Sequence, residues 1–320
     1  MNDLHFAFRQ LRKAPAFTMT ALATVAICLG ANLAIFAVID SILLRPLPFP
    51  KADQLVTIFN TYPKAGVERD GSSITNYYER RGNIPAFSSL SVFREGGEAV
   101  GDPGSTEQIE VLRISPEFFA TLGVSPAMGR SFTEEEAAVA ENNGVAVLTD
   151  AYWRQRLEAD PNILGRDLRV NGIPRKIVGV LPPDFRFLSS EARLFLPIRS
   201  RPEERAPSQR HSGGGGRHMI ARLKSGATIA EAQAQIDAHN AAVEQGNPDA
   251  QKMAEAGFRS PVLSLHADHV RSIRPTLFLL QAGVFFLLLI GAVNLINLLL
   301  IRASSRAKEM AIRQAMGASR

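Results

Sequence analysis

The sequence predicts an α+β extracytoplasmic domain, two lobes with mixed sheets, inserted between two transmembrane α-helices. Three observations carry this. No charged residue occurs over residues 14–39, a run of 26, and none over residues 275–301, a run of 27. A bilayer core needs roughly 20 apolar helical residues, so each run is long enough to span one. Between them, short strand-like runs and capped helices alternate without a regular βαβ period, which favours α+β.

The elements follow in order. In residues 1–13, Leu4, Phe8 and Leu11 recur at helical spacing beside Arg9, Arg12 and Lys13. This predicts an amphipathic helix on the cytoplasmic membrane surface. Residues 14–44 form the first span. A secretory h-region is only roughly 7–15 residues long, and Ala21-Leu22-Ala23 lies too early to be its cleavage site, so the span is read as an uncleaved anchor. Arg45-Pro46-Leu47-Pro48-Phe49-Pro50 cannot continue a helix and predicts a stiff, extended connector.

Within the outer domain, residues 45–274, strands are predicted at 55–59, 107–114 and 145–148. Ser115 and Pro116 should open a helix through Leu122, closed by Gly123. Thr149 or Asp150 should cap a helix through Leu157. Residues 168–170 and 176–180 flank Asn171-Gly172, a hairpin signal with a loop longer than two residues. Residues 202–216, ending in four glycines, read as a mobile loop with exposed histidines, His211 and His218, beside it. A strand at 219–223 follows. Thr228 and Glu231 then form a capping box for a helix through Glu244, and residues 262–265 are the last strand. The second span is 275–301, and residues 302–320 follow it.

Charge separates the parts. The chain holds 36 Lys+Arg and 31 Asp+Glu, but residues 50–275 hold 27 and 28, so the basic excess lies at the two ends. That pattern argues against nucleic acid as a partner and fits the positive-inside rule. Both termini are therefore expected in the cytoplasm. The single cysteine, Cys28, lies in the first span, so the outer domain forms no disulfide.

No constellation of catalytic residues stands out. The chain lacks a Gly-Lys dipeptide, hence a Walker A loop, and lacks GxSxG. Neither a metal nor a cofactor is expected. His266-Ala267-Asp268-His269 is the best metal candidate; as a strand it would put His266 and Asp268 on one face, and it reads best as a polar turn. Glu134-Glu135-Glu136 reads as an acidic first helical turn. Asn294 and Asn297, with Gly291 nearby, and Asn32 with Gly30 in the first span, read as packing contacts between spans or subunits. In the tail, Arg306, Glu309 and Arg313 form a charged helical stripe beside Met310, Ile312, Ala315 and Met316, with Gly317 ending the helix.

That tail, from Arg306-Ala307-Lys308-Glu309-Met310 to Gly317-Ala318-Ser319-Arg320, resembles the cytoplasmic segment of MacB/FtsX-like ABC transporter permeases. Asn294-Leu295-Ile296-Asn297 resembles their second span, and Leu43-Leu44-Arg45-Pro46-Leu47-Pro48-Phe49 the exit of their first. Ser115-Pro116-Glu117-Phe118-Phe119, Leu122-Gly123-Val124, Gly129-Arg130, Trp153, Asp160-Pro161, Leu164-Gly165 and Val178-Gly179-Val180 resemble the MacB-type periplasmic core domain. The proline-rich exit is similar to that of the acidobacterial duplicated permeases.

The resemblance implies the permease component of an ABC-type export system in the bacterial inner membrane, with residues 45–274 periplasmic. It implies a separate ABC ATPase subunit, a homodimer or second permease half, the lipid bilayer and a periplasmic adaptor as partners. Arg306, Glu309, Arg313, Ala315 and Gly317 would lie in the ATPase-coupling segment, and an inserted lobe near residues 131–212. The family carries four spans and this sequence two, so a truncated permease is expected. Two other readings remain: a two-span sensor with an outer ligand-binding domain, and a membrane-anchored outer enzyme.

Overall fold

The computed structural model describes residue 12 and residues 14–137, 144–212 and 214–316. The surface helix expected over residues 1–13 thus lies outside the described residues apart from Arg12, as does Gly317.

Helix α1 (Pro15–Ile39) ends in a π-helical turn over Asp40–Leu44. Strand β1 (Leu55–Ile58) is followed by β2 (Asn60–Tyr62) and β3 (Val67–Asp70). Helix α2 (Ile74–Arg80) starts in a capping box in which Ser73 Oγ accepts from Asn76 N and Asn76 Oδ1 accepts from Ser73 N. Strands β4 (Phe87–Val100) and β5 (Glu107–Ile114) come next, then α3 (Phe118–Leu122), β6 (Met128–Gly129) and α4 (Glu134–Ala137). Strand β7 (Gly144–Leu148), α5 (Asp150–Arg156), β8 (Asp167–Val170), β9 (Ile173–Val180) and β10 (Leu194–Pro197) follow. The chain continues through β11 (His218–Leu223), α6 (Ile229–Glu244), α7 (Ala250–Ala256), β12 (Val262–Ser264), α8 (Leu265–His269) and α9 (Arg274–Ala315).

The chain forms two compact units. One contains α1 and α9; the other is Pro46–His269. In the second, the strands join in one ten-stranded mixed sheet of order β12-β1-β11-β4-β5-β10-β7-β9-β6, with β8 pairing β4 and β9. Among the described residues, only β5–β10 and β7–β9 pair in parallel. Strands β2 and β3 make a separate ribbon. Where two lobes with mixed sheets were expected, ten strands of the outer unit join in one mixed sheet.

Side-chain alternation explains how. Successive strand residues face opposite sides of a sheet. Leu55 of β1, Ile220 of β11, Leu112 and Ile114 of β5, Phe195 of β10 and Val147 of β7 enter one cluster that runs the width of the sheet, joined by Phe118, Phe119 and Leu122 of α3. The alternate residues form two other clusters. Val56, Ile58, Met219 and Ala221 pack with Ile74 and Tyr77 of α2 and Ile236 of α6. Ile109, Val111, Ala146, Leu148, Leu194 and Leu196 pack with Tyr152 of α5 and Leu168 and Val170 of β8.

Four local expectations need correction. Ser115 does not cap α3; its Oγ accepts from Val92 N at 3.2 Å, so the helix starts later, at Phe118. The β8–β9 loop has only two residues, Asn171 and Gly172, both at positive φ (50° and 77°), the signature of a type I′ turn. The last strand stops at Ser264, and His266–His269 is helical, which removes the face shared by His266 and Asp268.

The stretch after Arg201, expected to be mobile, is pinned. Arg210 is 5% exposed and donates to Glu79 through Nε (3.0 Å) and Nη2 (2.7 Å). Thr75 Oγ1 donates to Glu204 O and Ala206 O. Separating a buried guanidinium from its carboxylate partner is costly, so this pairing fixes the segment. The histidines beside it are half-buried: His211 contacts Tyr62 Oη (3.0 Å) and Glu244 Oε1 (2.8 Å).

Phe118 is fully buried and packs edge-on against Phe93, Phe119 and Phe187. Phe118→Ala should cost about 3–5 kcal/mol. Urea unfolding of the full chain in detergent, read through the fluorescence of its one tryptophan, Trp153, checks this; Phe118→Leu should cost much less.

Candidate functional site

The α1–α9 pair carries the polar contacts expected of packed apolar helices. Thr24, Cys28 and Asn32 recur every four residues and so share one face of α1. Asn32 Nδ2 donates to Cys28 O within its own helix (3.0 Å) and to Val284 O of α9 (3.2 Å). Gln281 Nε2 donates to Asn32 Oδ1 at 3.3 Å, and Cys28 Sγ to Leu287 O at 3.6 Å. Gly291 completes the seam: a Cβ there would collide with Cys28 Sγ. Sequence reasoning singled out Asn32 and Gly291 but missed Cys28 and Gln281 as contacts; the four-residue spacing from Thr24 was the available signal.

The structure does not bring Asn294 and Asn297 to this seam. Both are exposed on α9. Their other expected role, packing between subunits, is unaffected.

The tail residues lie on the same helix. α9 continues without a break from the apolar stretch to Ala315, 42 residues in all, or about 63 Å at 1.5 Å per residue. Arg306, Glu309, Arg313 and Ala315 belong to its last turns. Glu309 and Ala315 are exposed, and Met310, Ile312 and Met316 expose 63%, 59% and 75% of their surface beside them.

In the outer unit, the His266–His269 segment contributes to a second site. Asp268 and His269 of α8 line a cavity of about 530 Å³ with Arg69 of β3, Thr57 of β1, Phe93 and Glu95 of β4, and His218 of β11. Arg69 Nη1 and Nη2 donate to Asp268 Oδ1 (2.7 Å) and Oδ2 (2.9 Å), a bidentate pair. The Arg69 guanidinium also lies 4.1 Å from the Phe59 ring centroid. Burial, and then the Arg69 charge, push the His218 imidazole below its usual range. Burial, and then His266, do the same to His269. Among the described residues, no three His, Cys, Asp or Glu side chains come together to hold a metal ion. Glu134 and Glu136 pair instead with Arg81 and Arg130.

A buried polar cluster lies behind α2. Arg80 is 1% exposed and donates through Nη2 to Ser260 Oγ (2.7 Å) and Asn240 Oδ1 (3.1 Å). Burial holds this guanidinium down at about 10, still charged at neutral pH. Tyr62, next to Glu244 and Asp70, is pushed up to about 12, mainly by burial. Arg80 Nη2 and Tyr62 Oη tie neighbouring elements together, while Arg80 Nη1 has no hydrogen-bond partner among the described residues.

Comparison with known proteins places this architecture. The macrolide export ATP-binding/permease protein MacB of Vibrio parahaemolyticus is 26% identical over 243 residues, 74% of this chain and 34% of the relative. That of Chromobacterium violaceum is 25% identical over 210 residues, 65% of this chain and 30% of the relative. The chain thus spans about a third of the length of these relatives. Among solved structures, the periplasmic region of MacB from Actinobacillus actinomycetemcomitans is similar with a TM-score of 0.45 and 14% identity, covering 70% of this chain and 94% of that one. The family model of the MacB-like periplasmic core domain matches residues 18–239, more than two thirds of the sequence. The chain therefore belongs to the family of MacB-like periplasmic core domains.

Proposed function

We propose that this chain is permease machinery of an ABC-type export system, passing ATP-driven motion from a separate ATPase subunit to a periplasmic domain. The observation that carries this reading is the family match to residues 18–239 on a domain bracketed by two helices, Pro15–Leu44 and Arg274–Ile312, long and apolar enough to cross a membrane. In this reading both termini are cytoplasmic in the bacterial inner membrane, and residues 45–274 are periplasmic, including the lobe near 131–212. The basic flanks of both apolar runs support that orientation.

The coupling segment is Arg306, Glu309, Arg313, Ala315 and Gly317. Its first four residues are continuous with the apolar part of α9, so a push on the tail would be carried along a stiff helix. The Asn32–Val284 and Cys28–Leu287 bonds would make α1 move with it. Asn294 and Asn297, amides on the exposed side of an apolar helix, would find hydrogen-bond partners in a second copy or a second permease half. A periplasmic adaptor would engage the outer domain.

Two experiments test this. In a Cys28→Ser background, Lys64→Cys should react with a membrane-impermeant maleimide on intact spheroplasts, and Ala307→Cys only after permeabilisation; the reverse pattern overturns the topology. A pull-down of the membrane-extracted chain should recover an ABC ATPase, and a chain ending at Arg302 should not. Glu309→Ala with Arg313→Ala should weaken recovery roughly tenfold, the loss of about 1.4 kcal/mol, while leaving membrane insertion unchanged. Equal recovery with and without the tail would count against the coupling role.

A further inference from the structure

The cavity beside α8 holds two half-buried histidines and an ion pair within one 530 Å³ space, and the proposed export role uses none of them. The ion pair bridges elements far apart in sequence. Arg69 belongs to the β2–β3 ribbon, which among the described residues pairs with none of the strands of the main sheet. Asp268 belongs to α8, from which the chain continues directly into the segment that begins α9. The Asp268 side chain is 10% exposed and that of Arg69 38%, so this pair is shielded more than an ordinary surface pair.

We propose that this corner is an acid-operated latch: at neutral pH Arg69 holds Asp268 and ties the β2–β3 ribbon to α8, and on acidification protonated His218 and His269 take over Asp268 and release Arg69.

Competition for one carboxylate drives the exchange. His218 is reached by the charges of Arg69 from β3, Asp268 from α8 and Glu95 from β4; His269 by those of His266 and Asp268 on its own helix. Each imidazolium that forms is attracted to Asp268, and that of His218 repels Arg69. Glu95, held by a 2.5 Å bond from Ser190 Oγ, also favours the charged His218. The released Arg69 keeps its contact with the Phe59 ring, so the open state does not strand it in an apolar place. Burial sets the direction. Both histidines are held below the usual imidazole value of about 6.5, so the closed state prefers them neutral. Closure is complete above that value and is lost as pH falls below it. The device is independent of any ATPase, and its test stands whether or not the chain exports a substrate.

Hydrogen exchange by mass spectrometry on the full chain in detergent reads this directly. After correction for intrinsic rates, peptides covering residues 67–70 and 265–269 should lose roughly five- to tenfold in protection between about pH 7.5 and about pH 5.5. Peptides from the β4–β5 pairing should keep theirs. His218→Gln with His269→Gln should abolish the response, and Asp268→Asn should show the low protection already at neutral pH. The proposal is overturned by a wild-type chain whose protection does not change, by an undiminished response in the double histidine variant, or by full protection at neutral pH in Asp268→Asn. Unchanged β4–β5 protection in each variant shows that the variant has folded.

Discussion

The outer unit depends on the long antiparallel pairing of β4 with β5. β4 runs 14 residues, long enough to serve β11 along its first half and β5 along its second, with β8 reached at Val100. Strands β1, β11 and β12, from the N-terminal and C-terminal parts of the domain, are anchored to one side of this hairpin. The middle strands, β6 to β10, are anchored to the other through β10 on β5, and β8 also reaches β4. Because the pleat alternates, the hairpin offers one face to a hydrophobic cluster spanning both sides and the other to two separate clusters. The outer unit thus has one backbone framework and three partly independent clusters of core residues.

Polar groups do the fastening at the periphery of these cores. Arg80 is held by Ser260 and Asn240, and Asn60 accepts from Ser260 at 2.9 Å, so α2, β2, α6 and the approach to β12 meet at one buried hydroxyl. Arg210 joins Glu79 and Glu244, which immobilises a segment whose composition alone would leave it loose. Buried charges of this kind add little net stability, but losing one partner is costly, so they specify a single arrangement. The same reasoning makes the Arg69–Asp268 pair informative, since its carboxylate has alternative partners close by.

The helical unit follows a different logic. Its exposed apolar residues, such as Leu22, Phe36, Phe286 and Leu300, fit a lipid surroundings and would be a liability in water. Small and polar residues are kept for the helix–helix seam, where Gly291 admits Cys28 and Asn32 reaches a backbone carbonyl. The continuous α9 then carries the charged tail residues on the same helix as the apolar stretch.

Much of this was legible in sequence because it depends on local physics. Charge-free runs mark the long helices, Thr228 with Glu231 marks the start of α6, and Asn171-Gly172 marks a hairpin. The tail stripe and the motifs around Phe118 pointed to the family that residues 18–239 match. The remainder was decided by contacts between residues far apart in the chain. Whether Ser115 caps a helix or serves β4 depends on where Val92 lies. Whether residues 202–216 move depends on Glu79 and Glu244. Which of Asn32, Asn294 and Asn297 meets the other helix depends on how two helices of nearly uniform hydrophobicity are rotated, and periodicity cannot set that rotation. The His218, Arg69 and Asp268 corner brings together residues from three elements spread over some 200 positions of sequence. Local propensity determined the elements and the class of this protein; side-chain pairing across the folded sheet, which no short window of sequence encodes, decided its sites.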